Sequence, residues 1–210
     1  MSNFMVWDAD DFGVNHVISE MCQSHDCRDK LDQFHYANPN FKATLFAIPA
    51  EMTYELAEWC KANNSWIQLA VHGILHSSNY ECSDMSKEDF DTIIYDFSGM
   101  IDEYFVKGFK APGWQISDGI YNWLLENDWW VADQAYNNDR RPKELAAYVH
   151  DNGTFYVDLG PDFDNISIHN GKHHHTWDCV NNGVYECADE ILDYIKGVDS
   201  FKFVSEVING

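Results

Sequence analysis

Short apolar runs alternate along the chain with stretches in which apolar residues recur every three or four positions, a pattern that predicts strands and helices in turn. Phe4–Trp7 reads as the first strand, and a polar, irregular stretch follows to about Asn40. Ala43–Ile48 is the next run and stops at Pro49; Thr53–Lys61 then reads as a helix with Leu56, Ala57 and Cys60 on one face. Ile67–Val71 predicts a third strand. Ser86, with Asp89 three positions on, opens a long helix whose stripe of Phe90, Ile93, Ile94, Phe97, Ile101, Tyr104 and Phe105 closes at Gly108. The remaining pattern predicts a strand near Phe109, a helix over Ser117–Glu126, a strand over Trp130–Ala132 and a helix over Pro142–Val149. Strands near Thr154–Val157 and Ile166–Ile168, a helix from about Val184 to Ile195 and a strand over Phe201–Val207 complete it.

Alternation of this kind implies an α/β fold with mostly parallel strands. No repeat, linker or low-complexity segment divides the 210 residues, so residues 1–210 read as one domain. Seven or eight strands in that length point to a small or distorted (β/α) barrel, with a doubly wound open sheet as the competing architecture. Either would gather functional groups at the carboxyl ends of the strands.

Composition narrows the partners. With 13 basic and 35 acidic residues the net charge is −22, a surface that repels nucleic acid phosphates and anionic lipid. It suits a neutral or cationic ligand, or a saline environment. Eight Trp, eleven Tyr and thirteen Phe exceed what a core needs; they read as core aromatics, or as a cleft lined with flat faces that stack on sugar rings. Cys22, Cys27, Cys60, Cys82, Cys179 and Cys187 form no C-x-x-C pair and are expected as reduced thiols. The N-terminus shows no basic-then-apolar leader, and no apolar run nears the roughly 20 residues of a membrane span, so a cytoplasmic location is expected.

The ionisable residues that end strands carry the chemistry. Asp8, Asp10 and Asp11 follow the first strand, His72 and His76 the third, Lys110 the fourth and Asp133 the fifth; His169 and His173–His175 follow a late one. Two histidines four apart can face one way on a helical turn and share a metal ion. The spacing alone also suits surface histidines, but on a barrel these strand ends converge. One Asp with two His leaves coordination positions open, as a catalytic metal site requires. Such a donor set suits one divalent ion, Zn²⁺ first, with Co²⁺, Ni²⁺, Mn²⁺ or Fe²⁺ also accommodated.

The ordered motifs resemble the polysaccharide deacetylase family, also known as carbohydrate esterase family four or the NodB-homology domain. Asp10-Asp11-Phe12-Gly13 resembles its first motif and Phe41–Phe46 the segment before its second strand. Val71–Ser77 resembles its H-x-x-x-H motif, Phe109–Gly113 its F-R-x-P motif and His175-Thr176-Trp177 its closing histidine segment. The resemblance implies a distorted (β/α)₇ barrel and metal-dependent hydrolysis of N-acetyl groups on an amino-sugar-containing oligo- or polysaccharide. It makes Asp11, His72 and His76 the metal ligands, Asp10 the general base and His175 the general acid. Lys110 and Asp133 would orient and tune those two groups. A backbone N–H of Gly113 would help hold the oxyanion, and Trp114 would floor the substrate site.

The chain departs from the family at three points: Lys110 replaces an Arg, Gly113 stands where an aromatic is common, and Asp8-Ala9 replace Thr-Phe. The acid is open among His173, His174, His175 and His169. Two other functions fit the residues: hydrolysis of another C–N amide, such as deformylation of a non-sugar substrate, and carbohydrate binding without turnover. For Asp8 two roles are open, repulsion that tunes Asp10 or pairing with a cation, of which Lys110 is the candidate.

Overall fold

A computed structural model of the protein describes residues 4–19, 22–134, 137, 139–150, 162–164, 172–176 and 184–208. The strands expected at Thr154–Val157 and Ile166–Ile168 lie outside these residues, as do His169 and Cys179. In chain order the described elements are β1 (Phe4–Phe12), β2 (His16–Val17), β3 (Gln23–Ser24), α1 (Arg28–Ala37), β4 (Ala43–Ala47), α2 (Tyr54–Ala62) and β5 (Ile67–His72). After these come α3 (Lys87–Asp96), α4 (Ser98–Tyr104), β6 (Phe105–Lys110), α5 (Asp118–Glu126), β7 (Trp130–Gln134) and β8 (Ala147–His150). The last are β9 (Asp162–Asp164), β10 (Lys172–Thr176), α6 (Ala188–Ile195) and β11 (Ser200–Lys202).

One large sheet runs β8-β7-β6-β5-β4-β1-β10-β9, with β11 also paired to β1. All its pairings are parallel except that of β9 with β10. A second, two-stranded sheet joins β2 and β3.

The side chains show that the large sheet curls. Phe4 and Val6 of β1 share one buried cluster with Phe46 of β4, Ala70 of β5, Trp130 and Ala132 of β7 and Tyr148 of β8. The rings of Phe46 on β4 and Trp130 on β7 meet edge to face at 6.2 Å, and Lys110 Nζ from β6 reaches Asp10 Oδ1 on β1 at 2.7 Å. On a flat sheet strands three apart stand about 14 Å from each other, so these contacts require the curl of the distorted barrel, and the doubly wound alternative fails here. Val204 and Val207, in and just after a turn that follows β11, close this interior; the Val204 N–H donates to Thr44 Oγ1 at 3.0 Å.

The opposite strand faces pack under helices. Met5, Trp7 and Ala9 join Leu31 and Phe34 of α1, Leu56 and Cys60 of α2, and Ile191 of α6. Val71, Phe109 and Val131 join Phe90 of α3 and Ile120 and Leu124 of α5. Period-two alternation therefore splits each strand between an inner and an outer core. No helix among the described residues is long and apolar enough to cross a membrane.

Several sequence expectations need correction. The stretch read as irregular to Asn40 contains α1, in which Leu31 and Phe34 are the buried residues. The long helix after Ser86 is two, α3 and α4, which meet at Phe97 (φ −105°, ψ 7°), and Phe105 already begins β6. Pro142–Val149 is not a helix: Leu145 N–H closes a turn on the Pro142 carbonyl, and Ala147–His150 pairs with β7. There Tyr148 faces the interior core and Ala147 the outer one, a period of two that three or four residues cannot reveal alone. Phe201–Val207 holds only the short β11 and then a 3₁₀ turn over Val204–Glu206. Cys22, Cys27, Cys60, Cys82 and Cys187 are buried thiols.

Candidate active site

The inward face of β1 begins apolar, with Phe4 and Val6, and ends with Asp8 and Asp10, both buried. In a regular strand Asp11 would face outward. Instead Asp11 adopts φ 61°, and the pairing with β4 slips between Ala9 and Phe12. Positive φ is uncommon outside glycine, and Asp is among the residues that tolerate it. The irregularity re-aims one side chain, as strand bulges do beside active sites. Asp10 Oδ2 and Asp11 Oδ1 consequently stand 3.8 and 3.4 Å from the same atom, His72 Nε2.

His72 closes β5, with its Nδ1 3.1 Å from the Lys110 carbonyl. His76 comes from the loop beyond, at φ 50°, so a strand end and a turn bring the two rings together, not a helical turn. Their centroids lie 5.0 Å apart, and His76 Nε2 stands 3.2 Å from Asp11 Oδ1. The ligand atoms of Asp11, His72 and His76 all fall within 4.8 Å of one another. Asp11 Oδ1 is buried yet makes no hydrogen bond of acceptable geometry, although it faces both Nε2 atoms. Burial lowers the His72 pKa to about 3 against the pull of Asp11, which keeps the ring neutral. For His76 burial acts the same way, but Asp11 outweighs it and raises the pKa to about 9. A carboxylate oxygen without a donor, facing two imidazole nitrogens, fits a divalent cation.

Beside this triad lies a second cluster. Lys110, only 1% exposed, donates from Nζ to Asp10 Oδ1 at 2.7 Å and sits 3.7 Å from Asp8 Oδ1. The ammonium also lies over the rings of Trp114 (4.3 Å) and Phe46 (4.8 Å), a cation–π cage. His175 Nδ1 is 2.5 Å from Asp8 Oδ1, while its Nε2 is 3.6 Å from Asp10 Oδ2. Trp114 meets the His175 ring edge-on at 6.0 Å. Asp8 and His175 are direct register partners on the neighbouring strands β1 and β10. Asp8, Asp10 and His175 would also suit a metal by spacing, but the Lys110 ammonium already supplies a cation there. Burial raises the Asp10 pKa, as does Asp8, while Lys110 and His175 pull it down.

The structure thus brings Asp10, Asp11, His72, His76, Lys110, Trp114 and His175 together. Asp133 takes a different place. Its oxygens accept from Tyr121 Oη (2.6 Å), Asn137 Nδ2 (2.6 Å), Arg141 Nη1 (3.2 Å) and the Gln134 N–H (2.8 Å). Its link to the site runs through Asn137, whose Nδ2 also donates to the Trp114 carbonyl at 3.2 Å. The carboxylate on His175 is that of Asp8, a contact the sequence does not suggest, while the nearness of Asp8 to Lys110 fits one of the two roles left open for it. Gly113 lies exposed in the turn Pro112–Trp114 at φ 56°, where an added Cβ would come within 2.6 Å of the Asn79 carbonyl. Trp7, Trp66, Trp123, Trp129 and Trp130 are core residues, so the aromatic surplus serves packing more than a cleft.

No protein-family model matches this chain, and no curated protein matches it in sequence. Solved structures do match in fold. A family 4 acetyl xylan esterase from Clostridium thermocellum, in complex with a cobalt ion, is 18% identical, with TM-score 0.56 over 98% of this chain and 90% of that one. The Bc1960 peptidoglycan N-acetylglucosamine deacetylase is 13% identical, with TM-score 0.58 over 98% and 88%. BA3943 from Bacillus anthracis, described as a family 4 pseudoenzyme, is 10% identical, with TM-score 0.59 over 98% and 65%. The chain has the distorted barrel fold of the family-four carbohydrate esterases.

Proposed function

We propose that the protein is a metal-dependent deacetylase that removes N-acetyl groups from an amino-sugar-containing carbohydrate. The observation that carries this reading is the adjacency of two groups of side chains. Asp11 Oδ1 faces His72 and His76 with no hydrogen-bond donor of its own, and the next residue, Asp10, joins a buried network with Lys110 and His175. The fold likeness to a peptidoglycan N-acetylglucosamine deacetylase and to an acetyl xylan esterase supports it.

Asp11, His72 and His76 would hold one divalent ion, Zn²⁺ first by donor type. When bound, such an ion polarises an acetyl carbonyl and makes water more acidic. Asp10 takes the proton of the attacking water at Oδ2, while Lys110 occupies its other oxygen. The carbonyl oxygen that gains charge is met by the Gly113 backbone N–H. His175, with Nδ1 held by Asp8, turns Nε2 toward the site and donates its proton to the departing amine. The amine released is cationic at neutral pH, which suits so acidic a chain.

The test is an acetate-release screen over chitin oligomers, peptidoglycan fragments and acetylated sugar nucleotides with added Zn²⁺, Co²⁺, Mn²⁺ or Ni²⁺. Formate is assayed in parallel on formylated substrates. Asp10→Asn should keep the metal and lose turnover by about 100- to 10,000-fold; full activity in that variant removes Asp10 as base. A second reading, carbohydrate binding without turnover, is favoured by the likeness to a pseudoenzyme and by Lys110 in place of Arg. It requires oligosaccharide to bind with no product from the parent protein.

A further inference from the structure

Between His72 and Cys82 the chain makes a loop that doubles back on itself, and one carboxylate lies at its centre. Glu81 Oε1 accepts from the Ile74 N–H at 2.8 Å and the Leu75 N–H at 3.2 Å, and Oε2 accepts from the Ser77 N–H at 3.0 Å. These three donors flank His76 on both sides. Successive N–H groups that converge on one anion form a nest, and bonds to a charged acceptor are stronger than neutral ones.

The carboxylate is itself fixed. Cys82 is fully buried in the same apolar cluster as Ile74, and its carbonyl accepts from the Ser117 N–H at 2.9 Å, at the start of α5. The Glu81 N–H closes a turn on the Ser78 carbonyl at 3.2 Å. Ile74 anchors the loop on its other side, where its carbonyl accepts from the Ala50 N–H at 3.1 Å.

His76 needs such support more than His72 does. The His72 ring is oriented by the Lys110 carbonyl through Nδ1, as metal-bound imidazoles usually are. His76 Nδ1 is buried and bonds to no other described residue, and its Nε2 stands 3.2 Å from Asp11 Oδ1 without hydrogen-bond geometry, so no hydrogen bond orients its ring. Its backbone sits at φ 50°, a conformation that persists only where surrounding contacts hold it. The position of its Nε2 is therefore set by the backbone to which it is attached, and Glu81 binds that backbone.

We infer that Glu81 is a positioning residue for the metal site: its carboxylate holds the 74–77 backbone so that His76 Nε2 meets Asp11 and His72 before any ion arrives. The inference rests on the metal reading above, and it assigns part of the affinity for the ion to a residue that does not touch it.

The experiment is a Co²⁺ titration of apo-protein, read by competition with a chelating dye and by the visible d–d spectrum, for the parent, Glu81→Ala and Glu81→Gln. Circular dichroism and the melting temperature of each apo-protein are recorded alongside. Glu81→Ala should bind Co²⁺ about 10- to 100-fold more weakly, with a changed spectrum, at a temperature where the apo-protein is folded. Glu81→Gln keeps an oxygen for Ile74 and Leu75 but sets an NH₂ against the Ser77 N–H, so it should lose affinity by a smaller factor. Unchanged affinity and spectrum in a folded variant overturn the proposal, even if its melting temperature falls, because that is a structural role alone. If Glu81→Ala does not fold, Glu81→Gln decides by the same criterion. A parent protein that binds no divalent ion sinks the metal reading itself, a result distinct from a parent that binds and variants that bind equally well.

Discussion

Lys110 lies between two buried carboxylates, and its removal would leave Asp8 and Asp10 to repel each other out of water. Loss of one partner from a buried ion pair costs about 3–5 kcal/mol, so Lys110→Met should lower stability to urea by that order. Asp8→Asn in the same background should return part of the loss, since it removes one of the stranded charges. Equal stability of Lys110→Met and the parent would mean that the ammonium does not balance the aspartates. Asp8→Asn alone should leave metal content intact and reduce kcat by about 100- to 10,000-fold, because Nδ1 of His175 loses its carboxylate. At this scale the sequence shows which ionisable residues end strands better than which of them touch. Asp10, Asp11, His72, His76 and Lys110 are legible because each ends an apolar run whose direction is clear. The Asp8–His175 pair spans 167 positions and depends on β1 lying beside β10, which no local pattern encodes. The same holds for Asp133, whose strand end is legible but whose partners on α5 and in the loop after β7 are not.

Elements were legible where burial imposes a long or one-sided period. β1, β4, β5 and β7 stand as apolar runs, and α2 and α5 as stripes begun by Thr53 and Ser117, whose side chains accept from Leu56 and Ile120 N–H. The misreadings fall where two periods compete or few residues are buried: β8 in Pro142–Val149, α1 on its two core residues, and Phe97, where apolar spacing continues across a break between helices. Strand packing also sets limits that periodicity cannot express. Gly108 in β6 lies so close to the Trp130 indole of β7 that an added Cβ would come within 2.0 Å of it. Gly108→Ala should destabilise the protein by about 1–3 kcal/mol through overpacking, measured by chemical unfolding. A joint Gly108→Ala, Trp130→Phe variant should recover some of that loss by making room.

For the molecule as a whole, alternation established α/β, but barrel and doubly wound sheet share the same local pattern. Contacts across an interior, Phe46 with Trp130 and Lys110 with Asp10, separate them. Net charge is a property of the entire chain, and at −22 self-repulsion opposes compaction. The melting temperature should therefore rise as NaCl is increased from low ionic strength to about 0.15 M, where the Debye length falls to about 8 Å. A flat response would indicate that the acidic groups are already paired or dispersed. The thiols offer a second global probe: Cys60 and Cys82 are buried, and burial holds both well above the usual thiol pKa. A thiolate-seeking dye should label them only once the protein unfolds, and prompt labelling of the native protein would contradict the packing around them.

The central place of β1 has a consequence for how the molecule is made. Its neighbours β4, β10 and β11 come from both ends of the chain. The side chains proposed to bind the ion all lie between Asp11 and His76, so a growing chain holds that half of the proposed site early. The proposed acid–base half waits for Lys110 and then for β10, whose docking closes a loop of well over a hundred residues. Contacts so distant in sequence form late and slowly. Refolding should pass through a stage able to grip a cation before it is able to catalyse, with the gain of activity lagging behind the gain of metal affinity.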